Sequence, residues 1–292
     1  EFIRLGSGAI SSLPDPGVIN FAGEIKPKDS GQWGVGARYQ VTDALEMGLF
    51  HYRYHDRVGA LFTDFTGTTN YSSFARFGRQ ATVGGTPYYK LAYFDDIKLT
   101  GLSFSSKIGD AVQFGGDLSY RDGAAVYLQN GAPARGRYAQ GNLNFLYSAG
   151  PNMIAQTTTW LGEVVHQRIM GVDSLTISGG LPGQDGTSSK YVYDGQTRGS
   201  TLVGVGAIFD NPGVFSGWDL STNVTWTQNI AGSAFSGMGR DEKRLTLGAT
   251  FKYLGNLALG ATWVNYLGSP SLSSGRTMTD RDYVSFNAKY TF

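Results

Sequence analysis

Histidine is the side chain best suited to chemistry near neutral pH, and the chain contains three histidines. His51 and His55 lie four residues apart in the stretch HYRYH. On a β-strand both side chains would point the same way, about 13 Å apart, which is too far to share a metal ion. The surrounding residues are a poor match to a helix, so we predict no metal site and no cofactor.

The third histidine, His166, could act as the base for a serine nucleophile, which would make the protein a hydrolase. No Gly-x-Ser-x-Gly motif supports that reading, and serine is too common in the chain to single out a partner. The stretch GVG at 204–206 lacks the third glycine of a dinucleotide-binding loop, because Phe209 stands in its place. We therefore predict that the protein is not an enzyme and keep the hydrolase as an alternative.

The elements that would position any site follow a period of two. In 244–253 apolar residues occupy every second place and Arg, Thr, Gly and Lys fill the gaps, and 112–121, 139–147 and 218–227 repeat the pattern. Such alternation predicts β-strands with one apolar and one polar face. We expect eleven strands, at about 32–40, 45–56, 97–107, 112–121, 138–147, 153–166, 199–209, 218–228, 242–254, 257–266 and 283–292.

The connections between these strands are of two alternating kinds. Short turns include 41–44, 108–111, 149–152 and the dipeptide Gly255-Asn256, whereas long polar connections cover 57–96, 122–137, 169–198, 229–241 and 267–281. Strands of about ten residues with short turns at one end and long loops at the other predict an all-β, antiparallel transmembrane β-barrel of the bacterial outer membrane. In hydrocarbon, a closed sheet satisfies every backbone N–H and C=O group. A soluble β-sandwich or propeller is the alternative, but its sheets would need a shared apolar core.

Composition supports the barrel and excludes other classes. Glycine is abundant, with 42 residues, aromatic residues make up 13% of the chain, and charged residues only 16%. The formal net charge of +1 without a basic cluster argues against a nucleic-acid partner. There is no uninterrupted run of about 18 apolar residues, which excludes a transmembrane helix, and the absence of cysteine excludes a disulfide scaffold.

The alternation along each strand also assigns a set of charged residues to the polar face, which would line the barrel interior. These candidate lumen-lining residues are Arg38, Asp117, Glu163, Asp219, Lys252 and Lys289. Charges in a barrel interior either select solutes or form structural ion pairs, and the sequence leaves both roles open. On the apolar face, the pattern from Leu45 would also place His51 and Arg53 toward lipid, so we expect a β-bulge or an early exit from the membrane there.

The last strand keeps the period of two up to its final residue, with Phe286, Tyr290 and Phe292 on the apolar face. An alternating strand that ends in phenylalanine resembles the signal that the barrel-assembly machinery of Gram-negative bacteria recognises, so we predict that machinery as a partner. With an odd number of strands and the short turns on the periplasmic side, the first strand, at 32–40, would begin on the outer side of the membrane, so another strand should precede it. We read 1–31 as a loop or linking segment before a barrel at 32–292. Either 18–24 is a twelfth strand or the chain is the C-terminal part of a larger barrel.

The connection at 57–96 is unusually long for a structureless loop and carries many aromatic residues. These are Phe62, Phe65, Tyr71, Phe74 and Phe77, together with Arg76 and Arg79. Exposed aromatic side chains need a partner, so we expect this segment to fold inward and constrict or cap the mouth. The alternative is an outer hairpin that extends the strand at 97–107.

Several stretches resemble the proteobacterial outer-membrane family catalogued as domain of unknown function 1302. They are DSGQWGVGARYQ (29–40), FHYRYHDRV (50–58), DDIKLTGLSFSS (95–106), GGDLSYRDGA (115–124), GRDEKRLTLGATFKYL (239–254) and TDRDYVSFNAKYTF (279–292). The resemblance implies further strands before residue 29, transport of hydrophobic compounds through the envelope, and an exporter of the resistance-nodulation-division type as a partner. It supplies no catalytic residues.

We therefore expect an outer-membrane barrel that forms a passage for small or hydrophobic compounds across the outer membrane of a Gram-negative bacterium, in contact with outer-membrane lipid. A structural or surface-interaction barrel whose long loops bind a partner is the first alternative. Single-channel conductance would separate the two.

Overall fold

The computed structural model describes residues 2–4, 18–64, 88–128, 133–173, 175–177, 186–188, 197–233, 238–271, 274, 276 and 278–292. All regular structure in these residues is β-strand. In chain order the strands are β1 (Phe2–Arg4), β2 (Val18–Ile25), β3 (Trp33–Thr42), β4 (Leu45–Tyr54), β5 (Ala60–Asp64), β6 (Tyr88–Ala92), β7 (Ile97–Ile108), β8 (Val112–Tyr127), β9 (Pro133–Ala149), β10 (Thr157–Val172), β11 (Leu175–Ile177), β12 (Gly186–Ser188), β13 (Gly199–Phe215), β14 (Trp218–Gly232), β15 (Lys243–Tyr253), β16 (Leu257–Leu267) and β17 (Tyr283–Tyr290). Within the described ranges, no helix has the length and apolar character needed to cross a membrane.

Eleven strands form one antiparallel sheet in the order β17-β16-β15-β14-β13-β10-β9-β8-β7-β4-β3. They correspond one to one with the eleven predicted strands, so the all-β antiparallel prediction is confirmed. Tight turns join β3 to β4, β7 to β8, β13 to β14 and β15 to β16 at one end, here called the short-turn end. The opposite end is called the long-loop end. In the described residues the outermost strands β3 and β17 do not pair with each other, so the sheet is not closed.

The strands run further toward the long-loop end than the sequence predicts. The predicted loop at 122–137 is wrong for most of its length, because β8 continues to Tyr127 and β9 begins at Pro133. The Asp122-Gly123 pair suggests a turn, but it forms a β-bulge: Gly123 has φ of +92° and the register shifts between Asp122 and Ala124. A bulge absorbs one residue and lets the ladder continue. At the opposite, short-turn end, Gly213 of β13, with φ of +68°, likewise carries that strand past its predicted end.

A second sheet of four short strands, in the order β1-β2-β6-β5, is formed by segments predicted to be loops. The candidate strand at 18–24 is present as β2, but it pairs with β1 and, in parallel, with β6, and it is not a twelfth strand of the large sheet. This small sheet therefore joins the segment before β3 to the long connection between β4 and β7.

The register keeps the predicted period of two across the whole large sheet. Leu118, Leu143 and Val164 belong to one face, and Asp117, Asn142 and Glu163 alternate with them on the other. We call the face with Asp117 the inner face and the opposite one the outer face. The outer face exposes the apolar side chains of nearly every strand, among them Leu49, Leu102, Leu118, Leu143, Trp160, Leu247, Leu259 and Phe286. An exposed apolar surface of this extent is typical of a face that contacts lipid or another protein.

Candidate functional site on the inner face

The structure places all six predicted lumen-lining residues on the inner face. Arg38 lies opposite Gly48, Asp117 opposite Asn142 and Glu163 opposite Asn144, while Asp219 and Lys252 lie opposite each other on β14 and β15. Lys289 of β17 lies in the same row across the sheet as Lys252, with Ala258 of β16 between them. Their role in lining a passage stays a prediction, but the shared face that such a role needs is present.

Three of the six residues come together near the short-turn end. Lys252 is exposed, and Asp219 and Lys289 lie in the same row across the sheet. Asp219 is on the adjacent strand, about 5 Å from Lys252, and Lys289 is two strands away on the other side, at about 10 Å. Asp219 also accepts a 2.9 Å hydrogen bond from the Gly213 N–H group in the irregular end of β13. Asp219 therefore supports the local backbone, and the two lysines leave this end of the inner face with an excess of positive charge.

Arg38 lies apart from that group, at the edge strand β3. Its guanidinium is 4.0 Å from Glu46, and both side chains are well exposed. An exposed pair at this distance contributes at most about 1 kcal/mol. Arg38 is thus an exposed and weakly paired cation on the inner face, and its ion pair contributes little to stability.

Asp117 and Glu163 border a cavity of about 740 Å³ on the inner face. Seven consecutive strands, from β7 to β15 in the sheet order, contribute to its wall. The two acidic residues flank β9 and are offset by two residues, which places their Cα atoms about 12 Å apart. Both are exposed to the cavity. Apolar side chains such as Leu161 and Val165 share the wall, so the cavity is amphipathic and on balance acidic.

The candidates predicted from the sequence omit several polar residues of this cavity, among them Gln113, Asn144 and Arg244. All three have inner-face parity, so the alternation was sufficient to find them. Arg121 is a further omission. It lies on the same face of β8 as Asp117 and donates a 2.5 Å hydrogen bond to the Tyr138 hydroxyl. Its guanidinium carbon lies 5.1 Å from the centroid of the Tyr138 ring. The cavity therefore carries at least one cation, Arg244, beside its two carboxylates.

The small sheet packs against the inner face at the long-loop end. Ile25, Ala60, Ala92 and Phe94 form a buried apolar cluster with Ile97, against which Tyr54 and Tyr138 pack. Tyr54, Ile97 and Tyr138 have inner-face parity. The segment between β4 and β7 therefore bends over the inner face and does not stand away from it.

Two ion pairs fasten the end of this segment to the large sheet. The Arg135 guanidinium, on β9, is buried and pairs with the Asp95 carboxylate, while its NH1 group donates to the carbonyl oxygens of Asp95 at 2.7 Å and Gly123 at 3.1 Å. Arg53 pairs with Asp96 at 2.8 Å. These contacts fix the direction in which the chain enters β7.

His55 completes the same junction from the other side. It is buried, its Nε2 lies 3.1 Å from the Ser30 carbonyl oxygen, and its Nδ1 accepts a 3.0 Å hydrogen bond from the Asp96 N–H group. These partners require the neutral ring with its proton on Nε2. His55 is therefore a structural residue that joins the segment before β3 to the segment before β7.

The expected inward fold of 57–96 can be followed only in part. Ala60, Ala92 and Phe94 lie in the cluster over the inner face. Phe65, Tyr71, Phe74, Phe77, Arg76 and Arg79 lie outside the described residues. Constriction of the mouth by this segment stays a prediction.

The other two histidines lie on the outer face. The ring nitrogen Nδ1 of His51 is 2.7 Å from the Thr100 hydroxyl, and that of His166 is 2.9 Å from the Thr201 hydroxyl. The same cross-strand pair thus occurs twice, as expected for a sheet contact, and gives the hydrolase alternative no support. The register of β4 with β7 is continuous from Leu45 to Tyr54, so the β-bulge that was one of the two expectations near His51 is absent, and an early exit from the membrane stays a prediction.

The terminal aromatic residues of the predicted assembly signal line up on the outer face. Phe286 and Tyr290 occupy this face of β17, and the rings of Tyr290 and Phe292 contact edge to face with centroids 5.1 Å apart. All three are exposed. Their recognition by the assembly machinery stays a prediction.

We predict that deleting Phe292, or replacing both Tyr290 and Phe292 by serine, lowers insertion into the outer membrane, because the alternating aromatic edge is lost. The amount of heat-modifiable protein in isolated outer membranes measures this. Tyr283→Ser is the matched control, since Tyr283 lies on the inner face of the same strand. Equal levels of inserted protein in all variants would contradict the prediction.

Comparison with known families gives one match along almost the whole chain. Residues 4–292 match the family described as "Protein of unknown function (DUF1302)". No curated protein matches the sequence.

Comparison with solved structures gives distant likenesses. OccAB2 of Acinetobacter baumannii is 15% identical, with a TM-score of 0.43, and the match covers 90% of this chain and 55% of OccAB2. The toluene transporter TodX of Pseudomonas putida is 12% identical, with a TM-score of 0.38 and coverages of 89% and 73%. OccK11 (OpdR) of Pseudomonas aeruginosa is 15% identical, with a TM-score of 0.33 and coverages of 89% and 68%. The chain thus spans about half the length of OccAB2.

Proposed function

Since the chain belongs to the DUF1302 family, as its sequence motifs predict, we propose that it forms part of the wall of an outer-membrane passage for small or hydrophobic compounds. The two faces of the large sheet support this function. Apolar side chains on the outer face suit lipid, and polar and charged side chains on the inner face suit a water-filled lumen.

A passage of this kind needs partners for the free edges of β3 and β17. In hydrocarbon, each unpaired backbone N–H or C=O group costs several kcal/mol. We propose that further strands pair with these two edges and close the barrel. The exporter of the resistance-nodulation-division type likewise belongs to the proposal, as a partner on the short-turn side.

One observation carries the proposal furthest: the small sheet packs over the inner face at the long-loop end, farther along the strands than the amphipathic cavity. A solute that moves along the inner face must pass this sheet. The cavity wall combines carboxylates with Leu161 and Val165, which suits a small solute with an apolar part. We propose that the small sheet constricts the mouth of the passage.

Deletion of residues 60–85 tests this arrangement, because it removes β5 and the connection that follows it. We expect a higher single-channel conductance in planar bilayers and faster uptake of large solutes, because the constriction is lost. Deletion of 269–275, in another long connection at the same end, is the matched control and is expected to leave the conductance unchanged. Both variants must first show heat-modifiable folding.

Two outcomes would count against the proposal, and they differ. Equal conductance of the folded 60–85 deletion and the intact protein would show that the small sheet does not constrict the mouth. No conductance from any folded variant, measured with the further strands that close the barrel present, would contradict the passage itself and favour the alternative in which the loops bind a partner.

A further inference from the structure

The outer face contains an apolar hollow centred on Gly141 of β9. It has a volume of about 380 Å³ and is bordered by Leu102, Leu118, Leu143, Val164 and His166. A Cβ atom on Gly141 would meet no atom closer than Leu118 Cδ1 at 3.8 Å, so the missing side chain leaves open space. The surface around it is exposed, with Leu118 at 59% and Leu143 at 61%. The shape and chemistry suit a hydrocarbon chain.

A histidine and two cationic side chains lie beside the hollow on its long-loop side. His166 forms its rim, and Arg168 lies two residues further along β10 on the same face, where it is exposed. Lys98 of β7 lies two residues further toward the same end than the register row of Arg168, and it is also exposed. In the described part of the chain, no carboxylate lies within ion-pairing distance of Arg168 or Lys98.

The neighbouring charges are compensated, which singles out Arg168. Arg53 pairs with Asp96, and Arg137 lies 4.0 Å from Asp173. Asp122 lies between Lys98 and Arg137 in the register and offsets part of their charge. Arg168 therefore offers the strongest free positive charge next to the hollow.

The depth of the hollow relative to the aromatic residues fits a lipid leaflet. Tyr147 and Trp160 face each other near the short-turn end, and Tyr120 lies in the register row of Ala139 and Arg168. The eight residue-to-residue steps from Ala139 to Tyr147 span about 27 Å along the strand, or about 20 Å after a strand tilt of about 40°. This is close to the height of about 25 Å of an apolar band, so Arg168 lies at the level of lipid headgroups.

We propose that this hollow binds one acyl chain of a phosphorylated glycolipid of the outer leaflet, a lipopolysaccharide, and that Arg168 holds the phosphate of its headgroup. Membrane placement follows the proposed function, in which the long-loop end faces outward. The acyl chain fills the space above Gly141, between Leu118, Leu143 and Val164. The guanidinium binds the phosphate through charge-assisted hydrogen bonds. Lys98 is the second cation within reach of the headgroup.

Binding of hexa-acylated lipid A by the purified full chain in detergent, followed by native mass spectrometry, tests this site. We expect Gly141→Leu, which fills the hollow, and Arg168→Gln, which removes the charge, each to weaken lipid A binding about tenfold. Gly204→Leu is the matched control. Gly204 lies on the inner face, and a Cβ atom there also meets nothing within 4 Å, so lipid A binding should not change.

The outcomes separate this inference from the proposed passage. Equal lipid A binding by all three folded variants overturns the site, and so does equally tight binding of phosphatidylglycerol, which would show no preference for the glycolipid. Single-channel conductance should change in Gly204→Leu and stay unchanged in Gly141→Leu. Absence of conductance in every protein, with the binding pattern as expected, would contradict the passage and leave the lipid site intact.

Discussion

Replacing Leu247 by arginine is expected to lower the free energy of unfolding by about 2–4 kcal/mol. Leu247 lies on the outer face in the middle of β15, between Val224 and Trp263 of the neighbouring strands. In the proposed orientation this position is near the centre of the lipid layer. A guanidinium there either loses its hydration or draws water and headgroups into the bilayer, and both are costly.

The neighbouring residue provides the matched control. Thr246 lies on the inner face, between Thr225 and Val264, so Thr246→Arg would place the same charge in the lumen at small cost. Equilibrium unfolding of both variants in lipid vesicles, with denaturant, measures the difference. Equal destabilisation by the two substitutions, or purification of the protein as a detergent-free monomer, would contradict the assignment of the faces.

The eleven strands could be predicted from sequence because their signal is local. Every strand of the large sheet pairs with a neighbour in the chain or across one connection, and each keeps an apolar outer face. The inner-face positions of Asp117, Glu163 and Lys252 follow from parity alone, since a period of two fixes the face of every residue in an unbroken strand.

The small sheet could not be predicted, because its signals are neither long nor periodic. β2 and β6 pair in parallel although more than sixty residues separate them. Their strands are short, and the contacts that hold them, such as those of His55 with Ser30 and Asp96, join distant segments. No local pattern distinguishes such residues from ordinary loop residues.

Strand ends were mispredicted for a different reason. The pair Asp122-Gly123 is a common turn signal, and so is the stretch 210–213 with its Pro-Gly pair. In both places glycine adopts a positive φ inside a continuing strand. The sequence shows that a left-handed residue is needed there, but not whether a turn or a β-bulge uses it.

Replacing Arg135 by methionine is expected to have the largest effect, a loss of about 3–5 kcal/mol in the stability of the junction before β7. Arg135 is only 7% exposed and Asp95 only 8%. Methionine fills a similar volume but leaves the Asp95 carboxylate buried without its cation. The carbonyl oxygens of Asp95 and Gly123 also lose their donor. The packing of the guanidinium against Phe94, 5.5 Å from the ring centroid, disappears as well.

Hydrogen exchange and limited proteolysis of residues 88–96 measure this loss, since opening of the junction exposes the backbone of that segment. Arg137→Met is the matched control on the same strand. Arg137 is half-exposed and lies 4.0 Å from Asp173, so its pair contributes at most about 1 kcal/mol. Protection of 88–96 should fall strongly in Arg135→Met and little in Arg137→Met, while the eleven-stranded sheet stays heat-modifiable in both. If both variants protected 88–96 as well as the intact protein does, the small sheet would be held by its apolar cluster alone, and the constriction of the mouth would depend on Ile25, Ala92 and Phe94 instead of the buried ion pair.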